Sequence, residues 1–108
     1  MTSYFKQFLA VFLLIVLVLS CKKEIPAPLP IPNFYVDNNG CSSDCTVYFY
    51  DHSENAVKWK WNFANGSTSS SKTDSTIYTS AGVYEIWLTV WNKDNVADSI
   101  RKNITITE

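Results

Sequence analysis

From Asn33 onward apolar and polar residues alternate with a period of two, and no other feature limits the chain so strongly. Val57, Trp59, Trp61 and Phe63 alternate with Lys58, Lys60 and Asn62. Tyr84, Ile86, Leu88 and Val90 alternate with Glu85, Trp87, Thr89 and Trp91. Val47 and Phe49 alternate with Thr46, Tyr48 and Tyr50, and near the end Ile104 and Ile106 alternate with Asn103 and Thr105. Successive side chains on an extended chain point to opposite faces, so the pattern specifies half-buried strands and not an amphipathic helix. Turn signals divide it: Asn38-Asn39-Gly40, Ala64-Asn65-Gly66-Ser67, Ser80-Ala81-Gly82 and Asn92-Lys93-Asp94-Asn95. Strands are expected near 33–37, 45–51, 56–63, 74–79, 83–92 and 96–107, with Ser67–Ser71 as a short edge strand or a loop. Six or seven strands in residues 33–108 fit an all-β, antiparallel sandwich.

A different pattern precedes this one. Fifteen of the first twenty residues are apolar, Lys6 supplies a positive charge, and Phe8–Leu19 is an unbroken apolar run of twelve. Twelve helical residues rise roughly 18 Å, short of the ~30 Å hydrocarbon core of a bilayer. The run is therefore a secretory h-region rather than a membrane span. Val18-Leu19-Ser20-Cys21 resembles the lipobox of bacterial lipoproteins, although a residue smaller than Leu19 is more usual at its place. The resemblance implies cleavage after Ser20 and acylation of Cys21, with the attached lipid as the membrane contact. Several acyl chains are needed because one alone holds a protein only marginally. In the following Lys22-Lys23-Glu24, Lys22 stands where an inner-membrane retention signal would have Asp. The tripeptide partly resembles signals that send lipoproteins to the surface of Gram-negative cells. The expected location is the outer membrane of such a cell, with the outward and the periplasmic leaflet both open.

All four prolines lie in Ile25-Pro26-Ala27-Pro28-Leu29-Pro30-Ile31-Pro32. Proline at every second position removes donors and fixes φ, which forbids helix and central strand and favours extended polyproline II. The expected organisation is a signal peptide over 1–20, acylated Cys21 with a proline-rich spacer over 21–32, and a β-sandwich over 33–108. A docking peptide for a partner is the rival reading of the prolines.

Composition narrows the function. Nine Lys+Arg against ten Asp+Glu, with no basic cluster after residue 23, argue against a nucleic-acid binder. The single His52 has Asp51, Ser53 and Glu54 beside it, but adjacent residues on an extended chain point apart and form no triad. A sandwich this small has little room for a carboxylate-lined cleft. No catalytic residues and no cofactor are expected.

Trp61-Asn62-Phe63-Ala64-Asn65-Gly66 resembles the Trp-Asp-Phe-Gly-Asp-Gly motif of polycystic kidney disease (PKD) domains. Gly82-Val83-Tyr84-Glu85-Ile86-Trp87-Leu88-Thr89-Val90 resembles that family's Gly-x-Tyr-x-Val-x-Leu-Thr-Val strand. Tyr78, the Val47-x-Phe49 segment with Ser53, and Ile104-x-Ile106 match in order and spacing. The resemblance implies an immunoglobulin-like β-sandwich, extracellular and non-catalytic, in which Trp61, Phe63, Gly66, Tyr78, Gly82, Tyr84, Leu88 and Val90 are structural. Both motif Asp positions are Asn here (Asn62 and Asn65), the first motif Gly is Ala64, and Thr76 replaces a usual His. Any carboxylate role of the motif is thereby lost. PKD domains usually belong to longer chains, so a remnant of a larger PKD protein is one further expectation.

Cys41 and Cys45, with three residues between them, favour a disulfide outside the cytoplasm; a metal site would need two more ligands. Trp59 and Trp61 are expected in the core, and Tyr84 is placed like a tyrosine corner. Trp87 and Trp91 should face solvent roughly 13 Å apart on one strand face. Lys58 and Lys60 are expected on one flank, and Arg101 with Asn103 on the other. Three readings stay open for them: a cation–π ladder, a protein-binding surface, or a platform for sugar rings. Tyr48 and Tyr50 form a second outward pair. Asp37, Asn38, Asp44 and Asp51 are oxygen donors near loops, but no calcium-loop motif joins them. The expected function is non-catalytic binding of an envelope protein or an extracellular glycan. The alternative is a structural or accessory subunit with no ligand of its own.

Overall fold

The computed structural model describes residues 25–108; the signal segment, Cys21 and Lys22-Lys23-Glu24 lie outside the described residues. Seven strands follow in order: β1 (Phe34–Asp37), β2 (Cys45–Asp51), β3 (Lys58–Asn62), β4 (Thr68–Ser69), β5 (Thr73–Tyr78), β6 (Gly82–Trp91) and β7 (Ala97–Ile106). They form two antiparallel sheets, ordered β1-β2-β5 and β4-β3-β6-β7, and no helix occurs among the described residues. The Ser67–Ser71 stretch resolves into the two-residue edge strand β4, which pairs with Trp61 and Asn62 alone. The third strand starts later than expected, because Asn55 takes a left-handed φ of 60° and Val57 is left 54% exposed.

The inner positions of both sheets close on one core of Phe34, Val47, Phe49, Trp61, Phe63, Tyr78, Ile86, Leu88, Val90, Ile104 and Ile106. Trp61 is its centre. Its ring lies 5.1 Å from Phe34, 5.7 Å from Phe49 and 5.9 Å from Phe63, and its indole N–H donates to the Ser71 carbonyl at 2.9 Å. Removing such a side chain costs about 3–5 kcal/mol. Trp59 departs from expectation. It shares the inward face but lies where the sheet runs out, so it is half-buried and packs only against the core margin. Its Nε1 is buried without a partner, a loss of about 1–3 kcal/mol against a satisfied donor.

The two ends of the sandwich are closed differently. At one end Cys41 and Cys45 form a disulfide with Cα atoms 6.3 Å apart. Its loop crosses to the other sheet, where Ser43 N donates to Thr107 O and Thr107 N donates to Cys41 O, both at 2.9 Å. Nearby, the Tyr84 hydroxyl donates to the Ser80 carbonyl at 2.7 Å, a tyrosine-corner bond.

The proline segment closes the opposite end, which corrects the reading of a projecting spacer. From Ala27 on it lies against the domain. Ala27 N donates to Asp94 Oδ2 at 2.7 Å, Asn92 Nδ2 to Pro28 O at 3.0 Å, and Asn55 Nδ2 to Leu29 O at 3.1 Å. Ile31 and Glu54 exchange two backbone bonds, and Pro30 is buried. Alternating prolines leave every second N–H and all carbonyls free, and the domain's loops take up the Ala27 and Ile31 N–H groups and the Pro28, Leu29 and Ile31 carbonyls. Asn92, 3% exposed, is the hub: its Oδ1 also accepts from Asp94 N and Val96 N.

Candidate functional site

The outer face of the four-stranded sheet carries Trp87 and Trp91 on β6, as the alternation requires. Register sets Asn62 and Arg101 on either side of Trp87, Lys60 and Ser99 beside Thr89, and Lys58 and Ala97 beside Trp91. Trp87 is 39% exposed. The Arg101 guanidinium lies 5.4 Å from its ring centroid, and its indole N–H donates to Glu85 Oε1 at 2.9 Å. The same Glu85 oxygen is 3.8 Å from Arg101 Nη1, so one carboxylate holds both members in place. Lys58 Nζ lies 5.5 Å from the Trp91 centroid and donates to Asn95 Oδ1 at 3.1 Å. Between the indoles the Thr89 and Ser99 hydroxyls bond at 2.8 Å. The structure thus brings Trp87, Trp91, Lys58, Lys60 and Arg101 onto one face, with cations stacked on both indoles. Thr89 and Ser99 belong there too; the period-two pattern points Thr89 outward, and strand register sets Ser99 beside it.

The second outward aromatic group is larger than the sequence indicated. Tyr50 pairs in register with Tyr35, and their rings stack at 4.8 Å. Tyr35 also meets the edge of His52 at 4.6 Å, while Tyr48 stands apart from this stack opposite Asp37 and Ser75.

The motif residues act as structure. The Tyr78 hydroxyl donates to Phe63 O at 2.7 Å within the core, and burial pushes its pKa well above the usual phenol range, reinforced by Tyr84. Ala64, where the family has Gly, takes a left-handed φ of 62°, so alanine and not asparagine bears the turn's strain. Asn62 Oδ1 accepts from Ala64 N at 3.0 Å and supports it. Two departures from the family pattern touch each other: Asn65 Nδ2 donates to Thr76 Oγ1 at 2.9 Å and to Ile77 O at 3.1 Å. A carboxylate at 65 could accept from the Thr76 hydroxyl but could not donate to Ile77 O.

The suggested calcium donors do not converge. Asp37 pairs with Tyr48 and Asp51 with Phe34, at opposite ends of the β1–β2 ladder. Their carboxylates accept from Asn38 N and Ser53 N. Among the described residues no three His, Cys, Asp or Glu side chains group as metal ligands do.

Two sheets around a central Trp, a tyrosine corner and a turn-forming Trp-Asn-Phe-Ala-Asn-Gly segment define an immunoglobulin-like β-sandwich. The family model for the PKD domain matches residues 28–107, and the chain belongs to that family. The match begins inside the docked proline segment. The PKD1 domain of Vibrio anguillarum Epp is 27% identical, with a TM-score of 0.66 over 76% of this chain and 98% of that one. The PKD1 domain of the Vibrio cholerae metalloprotease PrtV is also 27% identical, with a TM-score of 0.66 over 75% of this chain and 100% of that one. A structure of carbohydrate-binding modules of the β-sandwich superfamily shares the fold at 22% identity and a TM-score of 0.70, covering 78% of this chain and 36% of that one. No curated protein matches the chain. PKD domains are generally non-catalytic modules.

Proposed function

We propose that this chain is a non-catalytic glycan-binding module held at the cell envelope by acylated Cys21. The observation that carries the binding reading is the Trp87–Thr89–Trp91 row, two outward indoles on one flat sheet face with hydroxyls between them. Flat aromatic surface stacks on the apolar faces of sugar rings, and flanking hydroxyls and amides bond their hydroxyl groups. The cations over the indoles do not block this. An exposed cation–π pair contributes about 0.5–1 kcal/mol, whereas burying a large aromatic side chain contributes about 1.5–3 kcal/mol. The Arg101 side chain is 63% exposed, and its contact with Glu85 is a surface ion pair that contributes little against displacement. The shared fold with carbohydrate-binding modules agrees with this reading without carrying it.

Anchoring rests on the lipobox resemblance at Val18–Cys21. Five residues lie between Cys21 and docked Ala27, six steps of chain with a reach of at most roughly 20 Å. On this reading the end closed by the proline segment lies near the outer membrane, the disulfide end points away, and the tryptophan face opens sideways.

Affinity electrophoresis of the full-length chain in non-ionic detergent against a polysaccharide panel tests the binding. Retardation of the wild type and not of the Trp87→Ala/Trp91→Ala variant is expected. Absence of retardation with co-purification of an envelope protein would favour the accessory-subunit alternative. Labelled palmitate incorporated by the wild type and not by Cys21→Ser tests the anchor.

A further inference from the structure

We infer that the ligand of this face is an acidic polysaccharide, whose charged groups enter a cleft at the free edge of β3. This rests on the glycan reading above and adds the chemical class of the ligand. The cleft, of about 560 Å³, lies between Lys58-Trp59-Lys60, the Thr68–Ser71 segment and Trp91, so it is continuous with the tryptophan face. It exists because β4 is so short. That strand covers only Trp61 and Asn62, leaving the Lys58–Lys60 flank of β3 without a strand neighbour among the described residues. The departing chain is pinned as the outer wall: the Trp61 indole N–H donates to Ser71 O, and Ser71 N donates to Ser69 Oγ at 3.1 Å.

The charge around the cleft is one-sided. Lys58 and Lys60 line it, and the Lys72 amine returns over the Trp59 ring at 5.8 Å. No carboxylate lines it. The one ion pair among the described residues is Arg101–Glu85, so none of these three lysines has a counter-charge at ion-pair distance. Asp74 accepts from the hydroxyl of the lining residue Ser69 and is the one acid bonded to the cleft's lining. Three amines without a carboxylate at ion-pair distance stand beside hydroxyls that both donate and accept, so the charge of the cleft is positive. They fit a ligand rich in acceptors, negatively charged, and bearing a ring that can continue onto Trp91. An acidic sugar chain has all three properties. A neutral polymer would leave the amines unmatched.

The test uses the full-length chain in non-ionic detergent, with affinities measured on immobilised polygalacturonate, fully methyl-esterified pectin, dextran sulfate, dextran and polyglutamate. Polygalacturonate is expected to bind about tenfold more tightly than its methyl ester, since exposed charge pairs contribute modestly each. The dextran pair separates sulfate from carboxylate as the source of charge. Lys60→Gln/Lys72→Gln should remove the tenfold advantage of the acid over the ester; neither amine stacks on Trp87 or Trp91. Equal binding of acid and ester, or an unchanged advantage in the lysine variant, would overturn the inference and keep the glycan reading. Tighter binding of polyglutamate than of any sugar chain would overturn it in favour of an acidic peptide. If no polysaccharide binds, the glycan reading itself fails and takes the inference with it.

Discussion

The two outer faces of the sandwich are both aromatic, yet they satisfy their aromatic side chains in different ways. On the three-stranded sheet Tyr35, Tyr50 and His52 pack on one another, ring against ring, at 4.8 and 4.6 Å. On the four-stranded sheet Trp87 and Trp91 lie four residues apart, roughly 13 Å on an extended strand, and each is topped by a flexible cation. Tyr35 keeps 48% of its surface exposed and Trp87 39%, so the faces differ in what covers their rings and not in how much of them is open. Rings covered by exposed Arg and Lys stems are kept soluble by groups that a ligand can displace. On the proposed reading the first face serves stability and the second contact.

That contrast is open to breakage. The largest effect is expected from Trp87→Ala/Trp91→Ala, with about hundredfold weaker polysaccharide binding and stability altered by less than about 1 kcal/mol. A large fall in the denaturation midpoint would make this face structural as well. Asn92→Ala should cost about 2 kcal/mol in urea unfolding, because a 3% exposed side chain loses its bonds to Pro28, Asp94 and Val96. Both faces should weaken together there, since the docked segment supports the whole sandwich. Tyr35→Ala/Tyr50→Ala should cost about 1 kcal/mol of stability through the lost ring pair and leave affinity unchanged. Reduced binding in that variant would erase the distinction between the faces. The smallest effect is expected from Arg101→Ala, about 0.5 kcal/mol in thermal unfolding, with polymer affinity within roughly threefold of wild type as the indole is uncovered.

Much of this was legible in the residues. Period two gave the strands, the inward row of Ile86, Leu88 and Val90, and the outward row of Trp87, Thr89 and Trp91, because side-chain direction on a strand follows from position alone. Cys41 and Cys45 were legible for a similar reason: four residues apart, they need only one turn to meet. The proline segment was misread. Local propensity correctly gives extended backbone there, but it does not reveal which loops will accept its hydrogen bonds. Asn92 and Asp94, sixty-four and sixty-seven residues away along the chain, decide that. Trp59 was misplaced because alternation reports direction and not depth. The cleft beside it depends on β4 ending after two residues, a register fact with no local signature in a run of serines. Ala64 was legible as a departure from the family, whereas its left-handed φ of 62° was not.

The most direct measurement is a ¹H–¹⁵N titration of the protein with a polysaccharide, following the indole Nε1–H signals. Each tryptophan reports from a different place: Trp61 in the core, Trp59 at the cleft, Trp87 and Trp91 on the face. The account predicts that the Trp87 and Trp91 indole signals and the Thr89 and Ser99 amides move on binding, while the Trp61 signal and the amides of Tyr35, Tyr50 and His52 stay in place. Shifts concentrated at Tyr35, Tyr50 and His52, with Trp87 and Trp91 unmoved, would contradict it.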